Sequence, residues 1–201
     1  MEFTQSRTVK ITALLLLLAA ISQPIYTVLY QYAPEINRKW LWGLEGLIFV
    51  LMAAFAGAAM SDSKRYTLVF SAIAFSAVLN VIQVGVGLTQ FGVFGEAVKV
   101  VPELKSAGFS VVAFSFFGYN AAKILLGLAA VVIGLSKMGS GNKALGGAAV
   151  LVGAVAFVTN AVVMMFGMRN GFVPRPLAGG SGVLATLLLA FCLFSVNRED
   201  A

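Results

Sequence analysis

Residues 108–135 read GFSVVAFSFFGYNAAKILLGLAAVVIGL, an apolar run in which Lys123 is the only charge. At 1.5 Å of rise per residue such a run makes a helix of about 42 Å, longer than the roughly 30 Å hydrocarbon core of a bilayer. Five further apolar runs accompany it, at approximately 11–31, 41–60, 66–90, 144–168 and 177–197, and among these only 41–60 carries a charge, Glu45. The other charged residues fall in the terminal segments or in short connectors.

Composition leads to the same place. Of the 201 residues 60% are hydrophobic and 11% charged, with a mean hydropathy of +0.94. A soluble domain carries roughly 25% charged residues, so there is too little polar surface here for a water-soluble fold. Long Leu/Ala/Val/Phe runs favour helices, which satisfy their backbone groups internally, over the alternating strands of a membrane barrel. The expected fold is an all-α membrane protein: a compact six-helix bundle forming one integral membrane domain over 1–201, with both termini on the same side. Arg7 and Lys10 precede Ile11–Ile21, and Leu18-Ala19-Ala20 loosely resembles a signal cleavage site. The apolar run continues through Tyr26 and Leu29, which makes it the first membrane helix instead.

The net charge of +6 arises mainly from isolated or paired basic residues in connectors, an anchoring pattern that implies no nucleic-acid partner. Seven Lys/Arg lie on the side of the termini and six on the other, a slight bias towards cytoplasmic termini in a bacterial-type inner membrane. Trp40, Trp42, Tyr26, Tyr30 and Tyr32 read as headgroup-level aromatics. Pro24, inside the first span, predicts a kink or loosened turn. The longest connector, Gly92–Ser106, reads first as a surface loop on the membrane; a short interfacial helix broken at Pro102, or a lid, is the alternative. Small-residue spacings at Ala53/Gly57, Ala72/Ser76/Asn80 and Ala149/Gly153 suit close helix packing. Residues 74–82 (AFSAVLNVI) and 156–164 (AFVTNAVVM) are faintly alike.

The chain contains no histidine, which excludes histidine-ligated metal centres and serine– or cysteine–histidine catalysis. Its one cysteine, Cys192, precludes an intrachain disulfide. No cofactor is implied, and an enzyme is the least favoured class.

Counting residues along each span gives depth. Gln23, Tyr26, Glu45, Asn80, Gln83 and Asn160 fall between the bilayer centre and the side away from the termini, while Ser115, Tyr119 and Lys123 share a helical stripe near mid-membrane, with Asn120 beside it. The remaining half is nearly all aliphatic, which predicts a cavity open on one side and closed below. A charge in hydrocarbon costs several kcal/mol, about 3 even on gentle scales, so Glu45 and Lys123 head the candidate ligand-binding residues. They are expected to meet across the cavity. The leading function is a small transporter or transport-related ligand-binding protein for a small polar or anionic amphipathic ligand, with Lys123 attracting the anionic group. The alternative is an accessory or assembly subunit that binds lipid, pigment, quinone or partner membrane subunits. Phe114, Phe116 and Phe117 read as packing or lipid contact.

Overall fold

The computed structural model describes residues 4–167 and 171–196, and all the regular structure in them is helical. Met168, Asn197 and the charges Arg169 and Arg198, which entered the reading of spans and orientation, lie outside the described residues. The helices are α1 (Gln5–Tyr32), α2 (Lys39–Asp62), α3 (Thr67–Val86), α4 (Gly92–Val100), α5 (Lys105–Gly139), α6 (Lys143–Phe166) and α7 (Arg175–Phe194). A π-helical turn, Gly87–Phe91, joins α3 to α4, and a 3-10 turn, Pro102–Leu104, precedes α5. Six rods are long and apolar enough to cross a membrane, α3 and α4 together making one of them. The protein is an integral membrane protein whose outer faces (Leu14, Leu47, Phe75, Leu151 and Leu184 among them) expose aliphatic and aromatic side chains to lipid.

The connector at Gly92–Ser106 is not a surface loop. No proline occurs between Gly92 and Val101, and the helix runs through Gly95 to Val100. Pro102 then ends it, forcing Val101 out of helical geometry (φ −127°, ψ 88°), as the residue before a proline generally is. The 34-residue rod Thr67–Val100 is about 51 Å long, well beyond a hydrocarbon core of roughly 30 Å. Its α4 segment has no buried residue, and its exposed Lys99–Glu96 pair (2.7 Å) belongs to a watery surface. At Pro24, by contrast, α1 continues as one helix.

Helices α1, α2, α3, α5 and α7 pack in a ring, each against the next and α7 back against α1, and α6 lies outside against α5 and α7. The α5–α6 contact is set by glycine. A Cβ placed on Gly127 would lie 2.8 Å from the carbonyl oxygen of Gly153, and one on Gly153 would lie 2.8 Å from that of Gly127. Gly134 and Gly146 form a second reciprocal pair, at 2.8 and 2.6 Å. Within each helix the two glycines are seven residues apart, two helical turns, so both pairs fall on one antiparallel seam where backbones touch. Gly57, in the small-residue spacing of α2, makes no such contact.

One end of the ring is closed by an apolar core containing Leu16, Met52, Phe70, Ile73, Ile133 and Leu189, all under 2% exposed. Polar groups tie off this end: Tyr66 Oη lies 3.2 Å from Ser136 Oγ, and Lys137 Nζ donates to the Ser195 carbonyl at 2.6 Å. Lys137 reads from sequence as a connector residue, yet α5 extends to Gly139 and carries it inside as a buried side chain.

Candidate functional site

The other end of the ring is hollow. A cavity of about 520 Å³ lies among α1, α2, α3 and α5, extending to the π turn. Helical spacing explains its walls. Gln23, Tyr26, Thr27 and Tyr30 fall at i, i+3, i+4 and i+7 on one face of α1; Trp42, Glu45 and Phe49 do the same on α2; and Ser115, Phe116 and Tyr119 face in from α5. Gln83 and Phe91 complete the lining. Six of the ten sequence-derived candidates therefore share this surface: Gln23, Tyr26, Glu45, Gln83, Ser115 and Tyr119. Ser115 Oγ also donates to the Gln83 carbonyl (3.3 Å), tying α5 to α3 beside the cavity.

The two intramembrane charges do not meet. Glu45 Oε1 accepts a hydrogen bond from Ser22 Oγ at 2.6 Å, and Lys123 Nζ donates to Gln23 Oε1 at 3.1 Å. Consecutive residues of α1 thus hold the two charges separately, one turn or less from Pro24. Glu45, 6% exposed, lines the cavity; Lys123, 1% exposed, does not, its ammonium lying 5.3 Å from the centroid of the Tyr119 ring. Its stem rests on α7 at Gly182, where an added Cβ would come within 2.9 Å of Lys123 Cδ. Gly182 is a residue that sequence reasoning missed. Only knowledge of which α7 residue faces Lys123 distinguishes it from the other glycines of the GGSG stretch.

Aromatic rings form the outer wall. Tyr26 stacks on Trp42 (centroids 5.3 Å apart, planes at 13°) and neighbours Tyr30 at 6.4 Å, while Trp42 meets Phe91 edge-on at 5.7 Å. Tyr26, Tyr30 and Trp42 thus line the cavity, Tyr30 (61% exposed) at its surface-facing rim, whereas Trp40 and Tyr32 are exposed and off the lining. The π turn has a role here: a Cβ on Gly87 would lie 2.8 Å from Trp42 Cζ3, so glycine there gives the indole its place. Arg38, from the α1–α2 connector, lies 5.3 Å from the Tyr30 centroid and 5.8 Å from that of Tyr26, and it donates to the Pro34 and Ile36 carbonyls. In the Phe114–Tyr119 stretch, Phe116 and Tyr119 turn inwards while Phe114 and Phe117 are exposed.

The three asparagines stand apart from the cavity lining. Asn120 Nδ2 donates to the Phe116 carbonyl at 2.6 Å. Asn80 and Asn160, the residues shared by the two faintly similar segments, behave alike: each donates to the carbonyl four residues earlier (3.0 and 2.8 Å) and leaves a buried Oδ1 without a partner among the described residues. Asn160 also reaches the Ala178 carbonyl of α7 at 3.1 Å, which makes it helix glue of the kind worth about 1 kcal/mol.

Among the described residues no three acidic or cysteine side chains converge as metal ligands would. The cavity offers amides, hydroxyls and aromatic faces around one carboxylate, a surface suited to holding a molecule with an apolar body and a polar group. No known protein family, curated protein or solved structure matches this chain, so the chemistry of the cavity carries the functional reading.

Proposed function

We propose that the protein is a small transporter or transport-related ligand-binding protein that takes a small amphipathic molecule into the cavity beside Glu45. The observation that carries this reading is the placement of a buried carboxylate on the wall of a 520 Å³ aromatic-lined cavity, above a closed apolar core. Gln23, Tyr26, Glu45, Gln83, Ser115 and Tyr119 contact the ligand. Lys123 acts through Gln23, while Asn80, Asn120 and Asn160 hold the helices that shape the site. The whole chain acts as one membrane domain with both termini on the side of the closed core, the cytoplasmic side of a bacterial inner membrane.

Movement follows from α1. Pro24 supplies no N–H to the preceding turn, so the helix bends there at less cost than elsewhere. Swinging the segment with Tyr26 and Tyr30 pulls on Ser22 and Gln23 together, releasing Glu45 and Lys123 in one step. The freed charges then pair with each other, giving the site two discrete arrangements.

Thr27 lines the cavity but is exposed, so Thr27→Trp fills the mouth without disturbing the core. Mass spectrometry of small molecules released from protein extracted in native lipid discs is expected to find a molecule retained by wild type and lost from Thr27→Trp. The same complement in both proteins would overturn the proposal. An accessory-subunit role has one observation of its own, the exposed apolar side chains Val93, Val100 and Phe109 on the α4–α5 hairpin. A stoichiometric membrane partner, with no retained small molecule, would favour it.

A further inference from the structure

We infer that the molecule taken into the cavity is a lipophilic organic cation; this rests on the ligand-binding reading above and names its chemical class. Among the described residues Glu45 is the only charged side chain on the cavity lining. One of its oxygens is bonded to Ser22, and the other has no protein donor among the described residues. That oxygen calls for a donor or a positive charge from the occupant. Around it stand Tyr26, Tyr30, Trp42, Phe116 and Tyr119, rings whose faces carry negative electrostatic potential and attract cations.

The protein already uses these rings in that way. Arg38 lies against Tyr26 and Tyr30, and the Lys123 ammonium lies against Tyr119. Neither cation supplies an anion-binding group to the lining. Lys123 lies behind the lining, its Nζ donating to Gln23 Oε1 and its stem wedged on Gly182, and Arg38 Nη1 donates to backbone carbonyls of its own connector while its buried Nε has no partner among the described residues. An anionic guest would therefore meet a carboxylate with no charged donor opposite it. The repulsion of a cationic guest by Lys123 acts across Gln23, whereas the attraction to Glu45 acts at contact, and Coulomb energy falls with separation. The sequence suggests an anionic guest drawn by Lys123; the placement of that side chain behind Gln23, off the lining that Glu45 shares, reverses the sign.

Arg38 then becomes a resident competitor. It covers aromatic faces at the mouth that an incoming cation would use, so its removal strengthens binding.

The test uses Trp40→Phe protein in zwitterionic lipid nanodiscs, with Trp42 fluorescence as the reporter. The probes are shape-matched ions of opposite charge: tetraphenylphosphonium against tetraphenylborate, and the smaller benzyltrimethylammonium against phenylmethanesulfonate. At least one cation is expected to quench Trp42 saturably, with neither anion doing so. Glu45→Gln should weaken that binding about tenfold or more, the scale of a lost hydrogen bond to a charged group. Arg38→Ala should tighten it about two- to fivefold, the scale of an exposed cation–π contact. Anions binding as tightly as cations, or cation binding indifferent to Glu45→Gln, would overturn the assignment of class while leaving a ligand cavity in place. Silence from every probe, with a molecule still retained in native discs, would overturn the class alone. Silence together with no retained molecule would overturn both readings.

Discussion

Gly153→Leu is expected to lower the thermal unfolding midpoint of the detergent-solubilised protein far more than Gly147→Leu on the same helix. The physical cause is backbone contact. At Gly153 an added Cβ would meet the Gly127 carbonyl oxygen at 2.8 Å, with Ala130 Cβ and Val131 N both at 3.0 Å. Two of these three atoms belong to the α5 backbone, so no rotamer change relieves the clash and the helices must separate. Parting them also strains the Gly134/Gly146 pair on the same seam. Overpacking of a tight core costs about 1–3 kcal/mol, and a leucine driven into a backbone carbonyl belongs at or above the top of that range. Gly147 has nothing within 4 Å of its added Cβ, so leucine there only adds lipid-facing surface. Size-exclusion profiles recorded by fluorescence after graded heating make the comparison; equal midpoints for the two variants would refute the seam.

The second large effect concerns Lys123, and it runs in opposite directions for stability and function. Its ammonium is desolvated, makes one hydrogen bond and balances no directly paired carboxylate. Replacing a buried charge with an apolar chain of similar shape is often neutral or stabilising by about 1–4 kcal/mol. Lys123→Met is therefore expected to unfold at the same temperature as wild type or higher, yet to lose ligand retention because Gln23 no longer has a fixed orientation. Lys123→Arg keeps the charge but should unfold earlier. Its planar, bulkier guanidinium has to pass the Gly182 backbone, where the lysine stem already fills the space a methyl group would need. Thermal midpoints together with retained-ligand mass spectrometry decide this. A Lys123→Met protein that unfolds well below wild type, or one that keeps its ligand, would contradict the role given to the lysine.

How much of this was legible in the sequence depended on whether a residue announced itself alone or only through a neighbour. The six long apolar helices follow from uninterrupted runs, because lipid admits little else. Glu45 and Lys123 stood out for the same reason, as charges where charge is expensive. Their separation did not: the serine–glutamine pair that holds them apart lies on another helix, at a register no local pattern reveals. Trp40 and Trp42 illustrate the same limit. Two residues apart, they point to opposite sides of α2, and only the packing of α1 and α3 decides which one becomes cavity wall. Residues 92–101 contain alternating valines and charges that suit a loop, a strand or a helix edge. Continuity with α3 made the choice, and Pro102 ended it. Of the glycine seam only Gly153 showed, in its spacing with Ala149; the pairing did not, because its two halves lie on different helices, although each half repeats at seven residues.

The central claim is that one polar cavity lies at the end of the bundle away from the termini and is sealed below by the apolar core. Gln83 lines that cavity and is partly exposed, while Cys192, the only cysteine, is buried in α7. A Gln83→Cys, Cys192→Ala protein in sealed vesicles of known orientation can be treated with a membrane-impermeant methanethiosulfonate carrying a trimethylammonium group. Modification from the face opposite the termini, slowed by the retained ligand and absent from the other face, is the predicted result. Protection from both faces, or equal modification from each, would contradict it.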